Sequence, residues 1–244
     1  KEEEVGKVFP MTDQASSILD VLLYELNQRK INIICNAYVR NIKKENAQFV
    51  LELEDGSVIQ GDRVIIATGG KAMPSTGSDG NGYELAGKLG HTIIPIFPAL
   101  VQLKLEGGYF KQIQGVKFVG TAELLYNNRP VAKDRGDILF ANYGVSGPPI
   151  LQISRKAGEL LQESQEVFLK LTIIDMLSRA ELKNLMLDRI KNGAKKSVEF
   201  SLVGLVNKRL IPVLLKEVGI RDLKCPIGNL ASKDLEKIIT ILTD

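Results

Sequence analysis

The chain has 244 residues, 44% apolar and 25% charged, with net charge +3, one histidine, two cysteines and no tryptophan. This balance excludes a disordered chain, and a membrane span is excluded because the uncharged stretches, such as residues 89–103 with Gly90, Pro95 and Pro98 in them, are broken and fall short of about 20 apolar residues. Cys35 and Cys225 cannot make a disulfide framework and fit a reducing, cytoplasmic compartment, while a lone histidine, His91, excludes a multi-histidine metal site.

In chain order, the first region reads as α/β. It opens Lys1-Glu2-Glu3-Glu4, with no initiator methionine and no signal-peptide pattern, and so reads as a piece of something longer. Ala15, Ile18, Leu19, Leu22, Leu23 and Leu26 recur at helical spacing behind Thr12 or Asp13 as N-cap. Residues 31–35 and 38–42 read as extended, with Cys35 a core cysteine. Phe49, Leu51 and Leu53 alternate with polar residues ahead of Asp55-Gly56 and predict a hairpin resuming at Val58. Val64-Ile65-Ile66-Ala67 is a short continuous apolar run, as expected of a buried parallel strand, and ends in Thr68-Gly69-Gly70. Gly77, Gly80 and Gly82 then lead into a helical run, 83–89, with His91 partly buried at its end.

From Pro95 the texture changes to short runs rich in Val, Leu, Phe and Tyr, separated by glycine and asparagine turns. This predicts a small antiparallel unit over 95–174, closed by a strand at 167–174. Pro148 and Pro149 suit the first turn of a helix over 150–161, and Ser146 reads as a turn residue rather than a nucleophile, because Gly144-Val145-Ser146-Gly147 lacks the nucleophile-elbow spacing. Residues 175–244 read as helical. Ser178 and Glu181 form a capping box, Leu182, Leu185 and Met186 a stripe, and Gly193 a stop. Pro212 kinks or splits a second helix, and Leu235, Ile238, Ile239 and Leu242 form a third stripe behind Ser232 as N-cap.

Charge divides unevenly: residues 170–244 carry 14 Lys/Arg against 9 Asp/Glu, and residues 1–169 carry 18 against 20. The basic residues are scattered through the helices without interleaved aromatics. That pattern suits a solvated surface better than a nucleic-acid footprint, and a non-catalytic module whose basic end contacts nucleic acid or a protein stands as the second reading.

The string over 64–91, with Gly6-Lys7-Val8-Phe9-Pro10 before it and Phe140-Ala141-Asn142-Tyr143-Gly144-Val145-Ser146-Gly147-Pro148 after it, resembles the bacterial YhiN-like flavoproteins, the aminoacetone-oxidase or BaiN family of NAD(P)/FAD-dependent oxidoreductases. The resemblance implies a multi-part α+β fold: a partial two-dinucleotide-type FAD domain (1–94), a β-rich insert unit (95–174) and a helical subdomain (175–244). It implies hydride transfer through FAD in a longer parent, weak or absent FAD binding by this segment alone, NAD(P)H as a candidate electron donor, and a small-molecule substrate. The scarcity of histidine and cysteine suits chemistry delegated to such a cofactor. Carried over residue by residue, the cofactor contacts are Ala67, Thr68, Gly69 and Gly70 at the strand end, Val39 beside the adenine, and Phe9 and Pro10 near the flavin ring. The family's opening GxGxxG segment has no match here, and where many relatives read Phe-Thr-His this chain has Phe140-Ala141-Asn142, which removes a titratable group.

Overall fold

Alternating strands and apolar helical stripes fold here into a mixed α/β chain, seen in a computed structural model that describes residues 1–3, 6–163 and 165–243. The chain divides into two units, 1–94 and 95–244.

In the first unit, β1 (Glu2–Glu3) and β2 (Lys7–Val8) pair antiparallel, and α1 (Ser16–Gln28) follows. The N-cap position of α1 is Ala15, without a side-chain hydrogen bond. Thr12 and Asp13 lie too far upstream, and Asp13, at φ 56°, instead pairs its carboxylate with Lys1 Nζ at 2.7 Å. A meander of β3 (Val39–Glu45), β4 (Gln48–Leu53) and β5 (Val58–Gly61) forms the sheet, and the hairpin turns at Asp55-Gly56 as its alternation predicts. Ile42 and Leu53 are buried in the sheet, and α2 (Asn81–Lys88), which packs on β3, buries Leu85.

Two expectations for this unit are corrected. Residues 31–35 and 64–67 form no strand among the described residues; Ile65 is 91% exposed, and Cys35 is on the surface, not in a core. An apolar run becomes a buried parallel strand only with a neighbour to bond, and the meander offers none. The stripe of α1 is likewise open to solvent, with no buried residue.

The second unit has two apolar cores. The first lies between a five-stranded antiparallel sheet and α4 (Pro148–Gln162). The strands are β6 (Leu103–Lys104), β7 (Lys117–Tyr126), β8 (Arg129–Ala141), β9 (Gly144–Ser146) and β10 (Phe168–Thr172), in the order β10-β7-β8-β9-β6. The short α3 (Phe110–Ile113) adds Phe110 and Ile113 to this core, together with Leu124, Ile138 and Ile150. Pro148 and Pro149 occupy the first turn of α4, where a missing N–H costs nothing. Ser146 ends β9, paired with Leu139, so it is a strand residue and not a turn residue.

The second core is helical. The Ser178–Glu181 capping box starts α5 (Arg179–Gly193), a short α6 (Val198–Ser201) follows, and α7 (Ile211–Glu217) carries Pro212 in its first turn, so the proline marks a helix start and neither kinks nor splits a helix. In α8 (Ser232–Thr243), Ser232 is the first helical residue. The amides of Asp234 and Leu235 both bond the carbonyl of Ala231, which therefore holds the capping position expected of Ser232. Leu182, Met186, Ile238, Ile239 and Leu242 are buried together, each contributing about 1.5–3 kcal/mol. Ile173 and Leu214 touch both cores and tie the sheet to the helices.

Asp175 fastens that joint. Its side chain, 10% exposed, accepts two bonds from the Arg135 guanidinium, at 2.7 and 3.0 Å, and one from Thr121 Oγ1 at 2.7 Å, in a recess also lined by Glu123, Lys133, Lys170 and Arg179. The Arg135 bonds above all, then the Thr121 hydroxyl, hold its carboxyl below the usual carboxylate range. A folded-state value below the unfolded one stabilises above the unfolded pKa of about 3.9, and that stability is lost as pH falls through the folded value. Asp175→Asn is expected to cost about 2 kcal/mol at pH 7 and progressively less as pH falls below about 3.9, measured by chemical denaturation of both proteins across that range. A penalty independent of pH would contradict this role.

Candidate functional site

The two glycine clusters of the first unit are used against each other. A Cβ on Gly82 would overlap Thr68 Oγ1, one on Gly80 would come within 3.2 Å of Lys71 Cδ, one on Gly69 within 2.9 Å of Ser78 Oγ, and one on Gly70 within 3.3 Å of the Tyr83 hydroxyl. The strip 68–71 therefore lies directly along the loop and first turn of α2. Gly80 and Gly82 make room for protein side chains, and Gly69, at φ 74°, takes a left-handed turn that other residues resist.

The start of α2 is capped from within the chain. Asp79 Oδ1 accepts the Asn81 N–H at 2.9 Å, and Asp79 Oδ2 accepts the Tyr38 hydroxyl at 3.2 Å. The Asn81 bond, then the Tyr38 hydroxyl and the Lys71 charge, hold the Asp79 carboxyl below the ordinary range. The first amide of α2 thus already faces a carboxylate. Asn81 Nδ2 in turn donates to the Val39 carbonyl at 2.9 Å, and Lys88 Nζ to that of Arg40 at 2.7 Å, which fixes α2 on β3.

A cavity of about 210 Å³ opens between these elements. Ile42, Leu51 and Leu85 make its apolar side; Thr68, Asp79 and Asn81 supply polar groups. Val39 and Thr68 both line it. Ala67 and Gly69 lie exposed beside Thr68 on the strip, and Gly70 is half-buried there. Phe9 and Pro10 sit after the β1–β2 pair, where Phe9 exchanges backbone bonds with Lys1, and they do not line the cavity. His91 follows α2 and is exposed, not partly buried; its amide bonds the Ala86 carbonyl at 3.2 Å. Asn142 is in the turn between β8 and β9, and Cys225 is half-buried beside the helical core. Sequence reasoning missed Tyr38, Asp79 and Asn81; Asp79 just ahead of a helix was the available signal.

The residues present fit one portion of a dinucleotide. Side-chain-free backbone at Gly69 and Gly70 allows close approach, the Thr68 hydroxyl can donate or accept, and the apolar side suits a flat ring. The volume lies below the roughly 300–1,000 Å³ of pockets enclosing whole ligands, so the cavity takes a piece of such a molecule. Among the described residues no group of three or more His, Cys, Asp or Glu side chains could hold a metal ion, and no helix is long and apolar enough to cross a membrane.

Residues 1–235 match the family described as the HI0933-like protein Rossmann domain. The chain is 34% identical over 234 residues to a 3-dehydro-bile acid delta(4,6)-reductase of Clostridium scindens, covering 96% of this chain and 57% of that protein. It is 26% identical over 246 residues to the ribosomal RNA dihydrouridine synthase of Escherichia coli, covering 100% of this chain and 57% of the relative. Against the Haemophilus influenzae protein of the same description it is 25% identical, covering 91% and 53%. The chain thus spans a little over half the length of the curated relatives it matches. With a match running through both units, the chain belongs to the HI0933-like family and is one of the YhiN- and BaiN-like flavoproteins that its three motifs resemble.

Proposed function

We propose that the chain serves an FAD-dependent reductase that saturates a carbon–carbon double bond conjugated to a carbonyl, with a small-molecule enone as substrate and NAD(P)H as electron source. The observation that carries this reading is the 34% identity to a bile acid reductase along 96% of the chain. The other relatives' names point to the same bond chemistry, because forming dihydrouridine also saturates a double bond conjugated to a carbonyl. Bound flavin supplies the hydride-transferring capacity that no side chain of this protein has.

The chain's own residues bind and orient. Gly69 and Gly70 let the cofactor's backbone-facing edge approach, Thr68 offers its hydroxyl, and the apolar side of the cavity keeps water from one ring. Ala67 and Val39 add backbone beside them, and Phe9 and Pro10 serve the flavin ring. In this reading 1–94 holds the cofactor, while a β-rich unit over 95–174 and a helical one over 175–244 shape the substrate side in a cytoplasmic enzyme.

The test uses the natural full-length protein. It should purify with flavin absorbance, lose it anaerobically on adding NADPH or NADH, and regain it on adding a 3-oxo-4-ene steroid. A protein without flavin, or a reduced flavin indifferent to the enone, would refute the reading. Reoxidation by ribosomal RNA but not by the enone would move the substrate to uridine.

A further inference from the structure

A recess of the helical part lies between the C-terminal half of α5 and α6, and none of the residues named in the functional reading above lines it. It encloses about 420 Å³ and is lined by Leu185, Asp188, Arg189, Asn192, Lys196 and Phe200, with Ser201 and Val203 at its edge. Three features set it apart from an ordinary helix–helix groove.

The first is Arg189. Its Nη1 donates to the carbonyls of Ser201 at 2.7 Å and Val203 at 3.0 Å, which pins the guanidinium plane to the turn after α6. Those two bonds are its only hydrogen bonds or ion pairs among the described residues. The Nε–H and both Nη2 hydrogens remain as a fixed fork of donors, the geometry that takes phosphate oxygens. The second is Phe200, which is 57% exposed although it lines a recess, so a flat apolar face is presented to whatever enters. The third is Lys196. Its stem crosses Gly193 so closely that a Cβ there would lie 2.9 Å from Lys196 Cδ, and its ammonium stands 5.8 Å from the Phe200 ring centre. Lys196 forms no ion pair among the described residues, and exposed Lys191 and Lys195 add positive charge on the same segment.

We propose that this recess is a binding site for a nucleoside phosphate, either free or as a unit of RNA. Phe200 takes the base by stacking, the Arg189 fork and Lys196 take the phosphate, and Asp188 with Asn192 accepts or donates at the sugar hydroxyls or the base edge. Each part of such a ligand needs a different surface, and the recess offers all three. The carboxylate of Asp188 disfavours a bare anion at that side, as a sugar-binding position should.

The test is calorimetric titration of the full chain with AMP, UMP and a short oligouridine, each compared with inorganic phosphate. Saturable binding of the nucleotides and none of phosphate alone is expected. Phe200→Ala should weaken it about tenfold, a typical loss for one stacked base. Lys196→Ala and Gly193→Ala should weaken it severalfold, the latter by displacing the Lys196 stem. All three positions lie at or near the surface, so folding is checked in parallel by circular dichroism. Arg189→Lys should abolish binding, but it also loosens the turn after α6, so the surface variants decide. Oligouridine binding much tighter than UMP, with a steep salt dependence, assigns the site to RNA; equal affinity assigns it to free nucleotides. No binding by the wild-type chain, or binding unchanged in both Phe200→Ala and Lys196→Ala, overturns the proposal.

Discussion

Gly147→Ala is expected to destabilise the second unit by about 3–5 kcal/mol, the sum of backbone strain and steric overlap at one position. Gly147 precedes α4 with φ 114° and ψ 162°, a conformation open essentially to glycine alone. A Cβ there would overlap the Asp137 carbonyl oxygen and sit 3.3 Å from Ile138 Cα. Neither neighbour can yield cheaply. Asp137 and Ile138 belong to the central part of β8, and Ile138 is fully buried in the first core. On the other side, the Gly147 carbonyl accepts the Leu151 amide at 3.0 Å, so moving Gly147 unseats the first turn of α4. At roughly 2–4 °C per kcal/mol for a chain of this size, the melting temperature should fall by about 10 °C. Ser146→Ala next door leaves the backbone pairing of β9 intact and should stay within about 0.5 kcal/mol. Amide exchange in β8 and α4 would report the loss. Equal behaviour of the two variants would show that the strand–helix junction is not held by this close approach.

That junction was legible because its signals are local. Two prolines after a glycine announce a helix start, Ser178 and Glu181 close a capping box within one turn, and the stripes of α5 and α8 carry their own period. Hairpins are legible for the same reason: β4, Asp55-Gly56 and β5 contain both partners and the turn between them. Residues 31–35 and 64–67 show the limit. Their composition suits a strand, but burial depends on neighbouring strands about which a run of four or five residues carries no information. The stripe of α1 is legible and its exposure is not, on the same ground.

The sites divide in the same way. The Thr68-Gly69-Gly70 strip is conspicuous, but its contact with Gly82 spans 14 positions, and the bond from Asn81 to Val39 spans 42. Nothing in the sequence marks Arg189 among the 32 basic residues, since what distinguishes it is two carbonyls 12 and 14 residues downstream. Asp175 is silent for a similar reason, because Arg135 and Thr121 reach it from another part of the sheet.

Within α2, two glycines five residues apart should respond to alanine with opposite signs. Gly87 has nothing within 4 Å of where a methyl group would stand, so Gly87→Ala is expected to stabilise by about 0.5–1 kcal/mol through helix propensity alone. Gly82 is buried, and its Cβ would overlap Thr68 Oγ1 while lying 3.2 Å from Ile66 Cγ2 and 3.3 Å from Thr68 Cβ. Rotating Thr68 relieves the hydroxyl contact but not the other two, so the strip itself must retreat, at about 1–3 kcal/mol. The two variants should therefore differ by about 2 kcal/mol in denaturation of the first unit. The same displacement carries the Thr68 hydroxyl and the Gly69-Gly70 backbone away from the cavity. In the natural full-length protein Gly82→Ala should lower flavin affinity about tenfold, whereas Gly87→Ala leaves it unchanged, because about 1.4 kcal/mol of lost contact is one decade of affinity. A loss of stability with intact flavin affinity would separate the packing of the strip from cofactor binding and remove Thr68 from the site.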